Sequence, residues 1–229
     1  MGAAYAAAPF GLLTEDPPAA ILLIREVWKN MIEIRDVIAF FDRLAPTWDA
    51  GMVRNEAAIE TILDLAGIEA GLAVLDVACG TGVLIPDYLA RGVAHVTAVD
   101  ISPEMTKIAQ GKFSDEDRVT VLCRDAQTMD LGRTFDRILI YNAFPHFSDP
   151  EALFATLCRH LAPGGRLTVA HGMSRERINE HHRGGASRVS NGLPSAETLS
   201  ALMAPFLRVD RLVSNENLYA VSGLLPGAF

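Results

Sequence analysis

The chain has 229 residues, half of them hydrophobic and 21% charged, which suffices for one sizeable α/β domain with a buried core and excludes wholesale disorder. Twenty Lys and Arg against twenty-eight Asp and Glu give a formal net charge of −8, which argues against a non-specific nucleic-acid binder, because such a protein needs a basic footprint to neutralise phosphates. Cys79, Cys123 and Cys158 are scattered without a C-x-x-C pair, and no apolar run approaches the roughly 18–20 residues of a bilayer span, so a cytoplasmic protein in a reducing interior is expected.

Residues 1–30 are predicted to be a poorly ordered amino-terminal extension. Ala, Pro and Gly dominate the first twenty, Pro17-Pro18 blocks regular structure, and Met31 reads as an alternative natural start. The first ten residues lack the positive region of a secretory signal. Residues 31–70 are predicted to form a helical cap. Ile34, Val37, Ile38, Phe41 and Leu44 recur at helical spacing, Ile59, Ile62 and Leu63 repeat the pattern over Glu56–Leu65, and Gly67 is a stop.

From residue 71 onward the texture alternates. Short β-rich runs at Ala73–Val77, His95–Val99, Val119–Leu122, Arg137–Tyr141 and Arg166–Ala170 are mostly continuous in apolar residues, as strands covered on both faces are. Helical patterns fill the gaps at Val83–Arg91, Pro103–Lys112 and Glu151–Leu161, a rhythm that predicts a doubly wound α/β sheet. Phe206–Val213 and Leu218–Leu224, separated by a polar turn at Ser214-Asn215-Glu216-Asn217, are predicted to close the sheet as an antiparallel hairpin. The segment 172–194 is longer than an ordinary connection and is read as a substrate lid.

The strongest chemical signal is Asp76-Val77-Ala78-Cys79-Gly80-Thr81-Gly82, where an apolar strand runs through an acid into a small-residue loop. Glycines there admit close approach of a ligand, and the following helix, expected to open near Val83, presents free N–H groups. The next strand ends in Asp100, placed to accept hydrogen bonds from two vicinal ribose hydroxyls, so loop and acid together imply an adenosine-bearing cofactor. Gly80-Thr81-Gly82-Val83-Leu84-Ile85 has no third glycine of a dinucleotide fingerprint, and Asp76 adds negative charge where a pyrophosphate would lie. An acid there suits a cofactor bearing an ammonium. NAD is disfavoured on charge, and a NAD(P)-dependent oxidoreductase stays open as the alternative.

Asp76-x-x-x-Gly80-x-Gly82, Asp100 ending the second strand and Leu161-Ala162-Pro163-Gly164-Gly165-Arg166-Leu167 before the fifth resemble the class I S-adenosylmethionine (SAM)-dependent methyltransferases. Phe41-Asp42-Arg43-Leu44-Ala45-Pro46-Thr47-Trp48-Asp49 is similar to the cap segment of the ubiquinone/menaquinone-biosynthesis type, and the resemblance covers about residues 35–225. It implies a Rossmann-like, seven-stranded, mostly parallel sheet, SAM as cofactor and methyl transfer to a small molecule. Carried over residue by residue, Asp76 sits near the cofactor's amino group, and Gly80 and Gly82 pack on its methionyl and ribose portion. Asp100 binds the ribose, Ile101 packs on the adenine, and Asp125, followed by Ala126, meets the adenine amino group. Tyr141 and Asn142 line the methionine end. Ala78 stands where the family often has a glycine. A SAM-binding protein without methyl transfer is the further alternative.

Three places border the expected methyl position. His146, in Tyr141–Phe147, is a general base or substrate contact, or a loop histidine packed between Phe144 and Phe147. Trp48 and Asp49 form a lid, or Trp48 is a core anchor. His171 ends strand five at the pocket rim and is a second candidate base. His181 and His182, with Arg175, Arg177, Arg183 and Arg188, form either a cluster for an anionic acceptor or a solvated basic face. A His-only metal site lacks a carboxylate partner, so no metal is assigned.

Overall fold

The computed structural model describes residues 32–183 and 186–226. The predicted extension at 1–30 lies outside the described residues. Helix α1 (Ile34–Leu44) runs through a 3-10 turn (Ala45–Thr47) into the short α2 (Trp48–Gly51), and α3 (Glu56–Ala66) follows. Then come β1 (Ala73–Val77), α4 (Ile85–Ala90), β2 (His95–Asp100), α5 (Pro103–Lys112), β3 (Val119–Cys123) and β4 (Phe135–Tyr141). A 3-10 turn (Phe144–His146), α6 (Pro150–Arg159), β5 (Leu161–His171), α7 (Arg175–His182), α8 (Ala196–Met203), β6 (Arg208–Ser214) and β7 (Tyr219–Leu224) complete the chain.

The seven strands form one sheet in the order β3-β2-β1-β4-β5-β7-β6. β1 to β5 are parallel, and β7 runs antiparallel to both β5 and β6. The polar turn before β7 closes as expected: the Asn215 side chain accepts from the N–H groups of Asn217 (2.9 Å) and Leu218 (3.0 Å). Order along the sheet reverses between β1 and β4, which opens a crevice at their carboxyl ends.

Strand parity divides the core. Leu75, Val77, Ile138, Ile140, Leu167, Val169 and Val221 face α6 and α8, packing on Leu153, Phe154, Leu157, Leu199 and Leu202. Val74, Val96, Ala98, Leu139 and Ala170 face the other way, onto Ile59, Ile62 and Leu63 of α3 and Ile85 and Tyr88 of α4. α3 is therefore an outer layer of the sheet, started by Asn55, whose side chain accepts from Ala58 N–H (3.2 Å), and stopped by Gly67 in the left-handed region (φ 66°).

The glycine-containing segment that opens β5 serves the architecture. A Cβ on Gly165 would lie 2.8 Å from the Ala162 carbonyl oxygen, and buried Arg166 pairs with Asp210 through two contacts of 2.7 and 2.9 Å, tying β5 to the hairpin.

α1, its turn and α2 lie over the carboxyl end of β1 and β2. Asp42 accepts from the Ser102 hydroxyl and from Glu104 N–H (3.2 Å). Asp49 accepts from the Thr81 hydroxyl and from Lys112 Nζ (2.9 Å). Burial raises the Asp49 pKa, but the Thr81 hydroxyl and the Lys112 ammonium outweigh it and hold the carboxyl below its ordinary range. Thr81→Val removes the buried end of this latch. It is expected to cost about 1 kcal/mol in urea unfolding and to speed amide hydrogen exchange selectively in α1 and α2. Unchanged exchange there would show that the latch does not hold the cap.

Candidate active site

A cavity of about 300 Å³ opens at the carboxyl ends of β1, β2 and β4, roofed by α1 and α2 and closed on the far side by α7. Its floor is the loop after β1. Cys79 N–H donates to Val99 O (3.0 Å) and Gly82 N–H to Cys79 O (2.9 Å), so the backbone doubles back between the two strand ends. Ala78 (φ 56°) and Gly80 (φ 56°) both take the left-handed conformation. A Cβ on Gly80 would meet only Trp48 Nε1, at 3.8 Å, so this glycine leaves the floor open toward the cap.

Gly82 does something else. It lies outside the cavity lining, has φ 83°, and a Cβ there would come within 2.6 Å of Phe113 Cε2 and 2.9 Å of Ile85 Cδ1. Its expected contact with a cofactor gives way to a packing role. Gly82→Ala should cost about 2 kcal/mol or more, measured by chemical denaturation. The helix expected to open near Val83 starts at Ile85 instead and has only six residues, so the floor is loop backbone rather than helix end.

Two acids stand on this floor. Asp76 falls by parity on the α4 face of the sheet, 2% exposed, and its Oδ2 has no hydrogen-bond partner. Burial pushes its carboxyl up to about 8, with the nearby Tyr88 hydroxyl acting in the opposite sense. A lone desolvated carboxyl lining a cavity is a receptor for a cationic donor. Asp100 accepts from Gly80 N–H and Ser102 N–H, both at 2.8 Å, and burial raises its pKa while those N–H groups oppose the shift. Each of its oxygens retains a second acceptor site. Ile101 and Ala126 line the same end. Asp125 does not: its carboxylate accepts from Gln127 N–H (2.9 Å), and Arg124 and Gln127 line the cavity in its place.

At the other end, Tyr141 and Asn142 line the wall. Asn142 is also in the left-handed region (φ 55°) and accepts from Gly172 N–H (2.9 Å), which ties the end of β4 to the start of the lid. Burial raises the Tyr141 pKa. Phe41, Trp48, Phe147, Met173 and Ile178 make this end apolar. Trp48 therefore serves the cavity, with its ring 5.8 Å from that of Phe41.

His146 stands between Phe41 and His182, with ring centroids 5.0 Å from each. Its Nδ1 lies 2.6 Å from Val189 O, and a carbonyl only accepts, so Nδ1 carries the proton and Nε2 the lone pair. Burial lowers its pKa to about 4, which keeps the ring neutral near pH 7. His182 lines the cavity too, and its Nδ1 is 2.8 Å from the Ser190 hydroxyl.

His171 and His181 are not brought to the cavity. Parity turns His171 to the opposite face of the sheet, fully buried beside Tyr219 (5.9 Å between centroids), with both ring nitrogens unpartnered and a pKa driven to about 3 by burial. His181 projects from α7 into solvent. Among the described residues no three His, Cys, Asp or Glu side chains converge to hold an ion, and no helix is long and apolar enough to cross a membrane.

Arg54 lines the cavity without having been anticipated. It donates to Val83 O (2.6 Å), Asp87 (2.8 Å) and Glu56 (2.8 Å), and Glu56 and then Asp87 raise its pKa. No local motif marks it, because its partners on α4 and the preceding loop are about thirty positions away.

Residues 74–165 match the family model described as a methyltransferase domain, and a doubly wound sheet of this order, with an acid within β1 and another ending β2, is in keeping with a class I SAM-dependent methyltransferase domain. The cofactor of this domain type is SAM, and the orphaned Asp76 carboxyl and open Gly80 floor fit a ligand bearing an ammonium and a ribose.

Among curated proteins, the chain is similar to the malonyl-[acyl-carrier protein] O-methyltransferase of Acetivibrio thermocellus, at 31% identity over 61% of this chain and 50% of that one. It is also similar to the ubiquinone biosynthesis O-methyltransferase of Xanthomonas oryzae pv. oryzae, at 38% identity over 47% and 44%. The chain thus spans about half the length of the curated relatives it matches. Among solved structures, the N-methyltransferase NodS of Bradyrhizobium japonicum in complex with S-adenosyl-L-homocysteine (SAH) superposes with a TM-score of 0.60 at 15% identity, covering 75% of this chain and 87% of that one. That likeness is one of fold.

Proposed function

We propose that the protein transfers the methyl group of SAM to a hydroxyl of a small-molecule acceptor, with His146 as general base. The observation that carries this reading is the continuity of one cavity from Asp76, Gly80 and Asp100 at one end to His146 in an apolar wall at the other. Both named curated relatives are O-methyltransferases, in keeping with an oxygen acceptor.

In this reading Asp76 receives the amino group of SAM and Asp100 its ribose, while Gly80 and Ala78 keep the floor low. Bound SAM supplies a methyl group made electrophilic by its sulfonium. The chain's own residues align and dry the site: Phe41, Trp48, Phe147, Met173 and Ile178 exclude water and confine the acceptor. A hydroxyl arrives protonated, and His146 Nε2 accepts that proton while Nδ1–H stays on the Val189 carbonyl. Net charge does not oppose a small acceptor, and the limited cavity admits no folded nucleic acid.

Incubation with SAM carrying a trideuterated methyl group and a library of phenols and enols tests this. A labelled ether formed one-for-one with SAH is the expected result. Label on nitrogen, or SAM bound with no labelled product, would refute transfer to oxygen.

A further inference from the structure

Beside the cavity, and sharing His182 with it, lies an open groove of about 580 Å³ formed by α7, the segment 187–195 and the first turn of α8. Arg175, Asn179, Arg183, Ser190 and Thr198 line it, and among the described residues no carboxylate does. Resting on the methyltransferase reading above, we propose that this groove holds a carboxylate or phosphate of the acceptor, so that the acceptor is a hydroxylated apolar or aromatic acid rather than a neutral molecule.

The groove is built as a braced surface. Arg175 Nε donates to Leu193 O (3.0 Å), and Asn179 both donates to Leu193 O (3.1 Å) and accepts from Leu193 N–H (2.6 Å). These bonds fix the wall opposite α7 and leave the terminal nitrogens of Arg175 free for a second partner. Glu176, the acid paired with them, is exposed and 3.9 Å away. Arg183 has no acidic partner among the described residues. Ser190 holds His182 through Nδ1, which sets the ring as a partition facing the cavity on one side and the groove on the other.

An acceptor that fills both compartments places its hydroxyl beside His146 and its anion beside Arg175 and Arg183, with a tether of a few carbons passing His182. Two guanidinium groups on a groove whose described lining carries no carboxylate, one of them paired only at 3.9 Å with an exposed glutamate, favour an anion, in a chain whose formal net charge is −8. The concentration of arginine in 172–194 thereby has a use that its exposure alone would not give it. Glu197, in the first turn of α8, feels Arg175 but does not line the groove.

Calorimetric titration of the full chain saturated with SAH tests the proposal, using 3-(4-hydroxyphenyl)propanoate and its methyl ester as probes. The acid is expected to bind at least tenfold tighter than the ester, and the advantage should shrink as salt rises. Arg175→Gln/Arg183→Gln should bring acid and ester within twofold, with ester and SAH affinities unchanged. Arg183→Gln alone, at an exposed position with no structural partner, should cost the acid about threefold and guards against misfolding of the double variant. Equal binding of acid and ester, binding of neither, or an acid advantage left undiminished by the Arg183 substitution would overturn the proposal. Failure of the wild-type chain to bind SAH would instead overturn the methyltransferase reading.

Discussion

Asp76→Asn is expected to abolish measurable SAM binding while making the unliganded protein more resistant to heat. Both effects have one cause. The carboxyl is buried with Oδ2 unpartnered, and its pKa stands near 8 against an ordinary 3.8. Because the folded-state pKa is raised, the native protein prefers the protonated form, and ionisation costs stability. That cost is absent below about pH 4, grows by up to about 1.4 kcal/mol per pH unit, and levels off above pH 8. Asparagine never ionises, so the variant should gain most over the wild type at pH 8 and above, and little at pH 4.

The same carboxylate, once ionised, is the buried anion that the proposed reading pairs with the ammonium of SAM. Removing one partner of a buried charge pair typically costs about 2–5 kcal/mol, or roughly thirtyfold to several thousandfold in affinity. Affinity should also titrate. Below pH 8 the wild type must release a proton to bind a cation, so its dissociation constant should rise about tenfold per unit toward pH 6, and the variant should show no such slope. Thermal scans and calorimetry across pH 6–9 measure both. A variant that binds within threefold of wild type, or melts lower at every pH, would show that Asp76 is not the cofactor's charge partner.

His146→Asn should lower turnover about 10²- to 10⁴-fold with little change in affinity for SAM. The asparagine amide can still donate toward Val189 O, so the loop is expected to keep its place while the basic lone pair disappears. With a pKa near 4, the wild-type histidine is deprotonated and competent throughout the neutral range. Turnover at saturating SAM should therefore stay flat from about pH 9 down to about pH 5 and fall only as pH approaches 4. The pH dependence of SAM affinity belongs to Asp76, so the two profiles separate: KM for SAM moves near pH 8 and kcat does not. A variant with unchanged kcat, or a wild-type kcat that falls through pH 6–7, would remove His146 as the base.

Much of the sheet was legible because its strands are buried on both faces. Continuous apolar runs mark β1 at Ala73–Val77 without error and place β2 and β3 to within a residue, and the helical pattern over Pro103–Lys112 matches α5. β5 begins five residues earlier than its apolar run, because Leu161 pairs with Phe135 before the chain bends through Gly164. Asp76 and Asp100, which both line the cavity, stand out in the sequence for a physical reason: an acid in or at the end of an apolar strand is costly without a partner, and here Asp100 receives backbone N–H groups while Asp76 Oδ2 receives none.

What the sequence did not disclose depends on facing and on distant contacts. His171 and Tyr141 both end strands, yet parity sends His171 under α8 and Tyr141 to the cavity wall. Gly80 and Gly82 look alike in the motif, and the positions of Ile85 and of Phe113, about thirty residues later, separate an open floor from a packed one. Asp125 sits where the resemblance expects an adenine contact but spends an oxygen on the local turn. Arg54 gives no signal at all, because its role is set by a carbonyl and an acid on a different element.

Calorimetric titration with SAM, SAH and NADPH tests the central claim most directly. The account predicts saturable one-to-one binding of SAM and SAH, no binding of NADPH, and loss of SAM binding in Asp76→Asn. Binding of NADPH in preference to SAM, or no heat with either SAM or SAH, would contradict it.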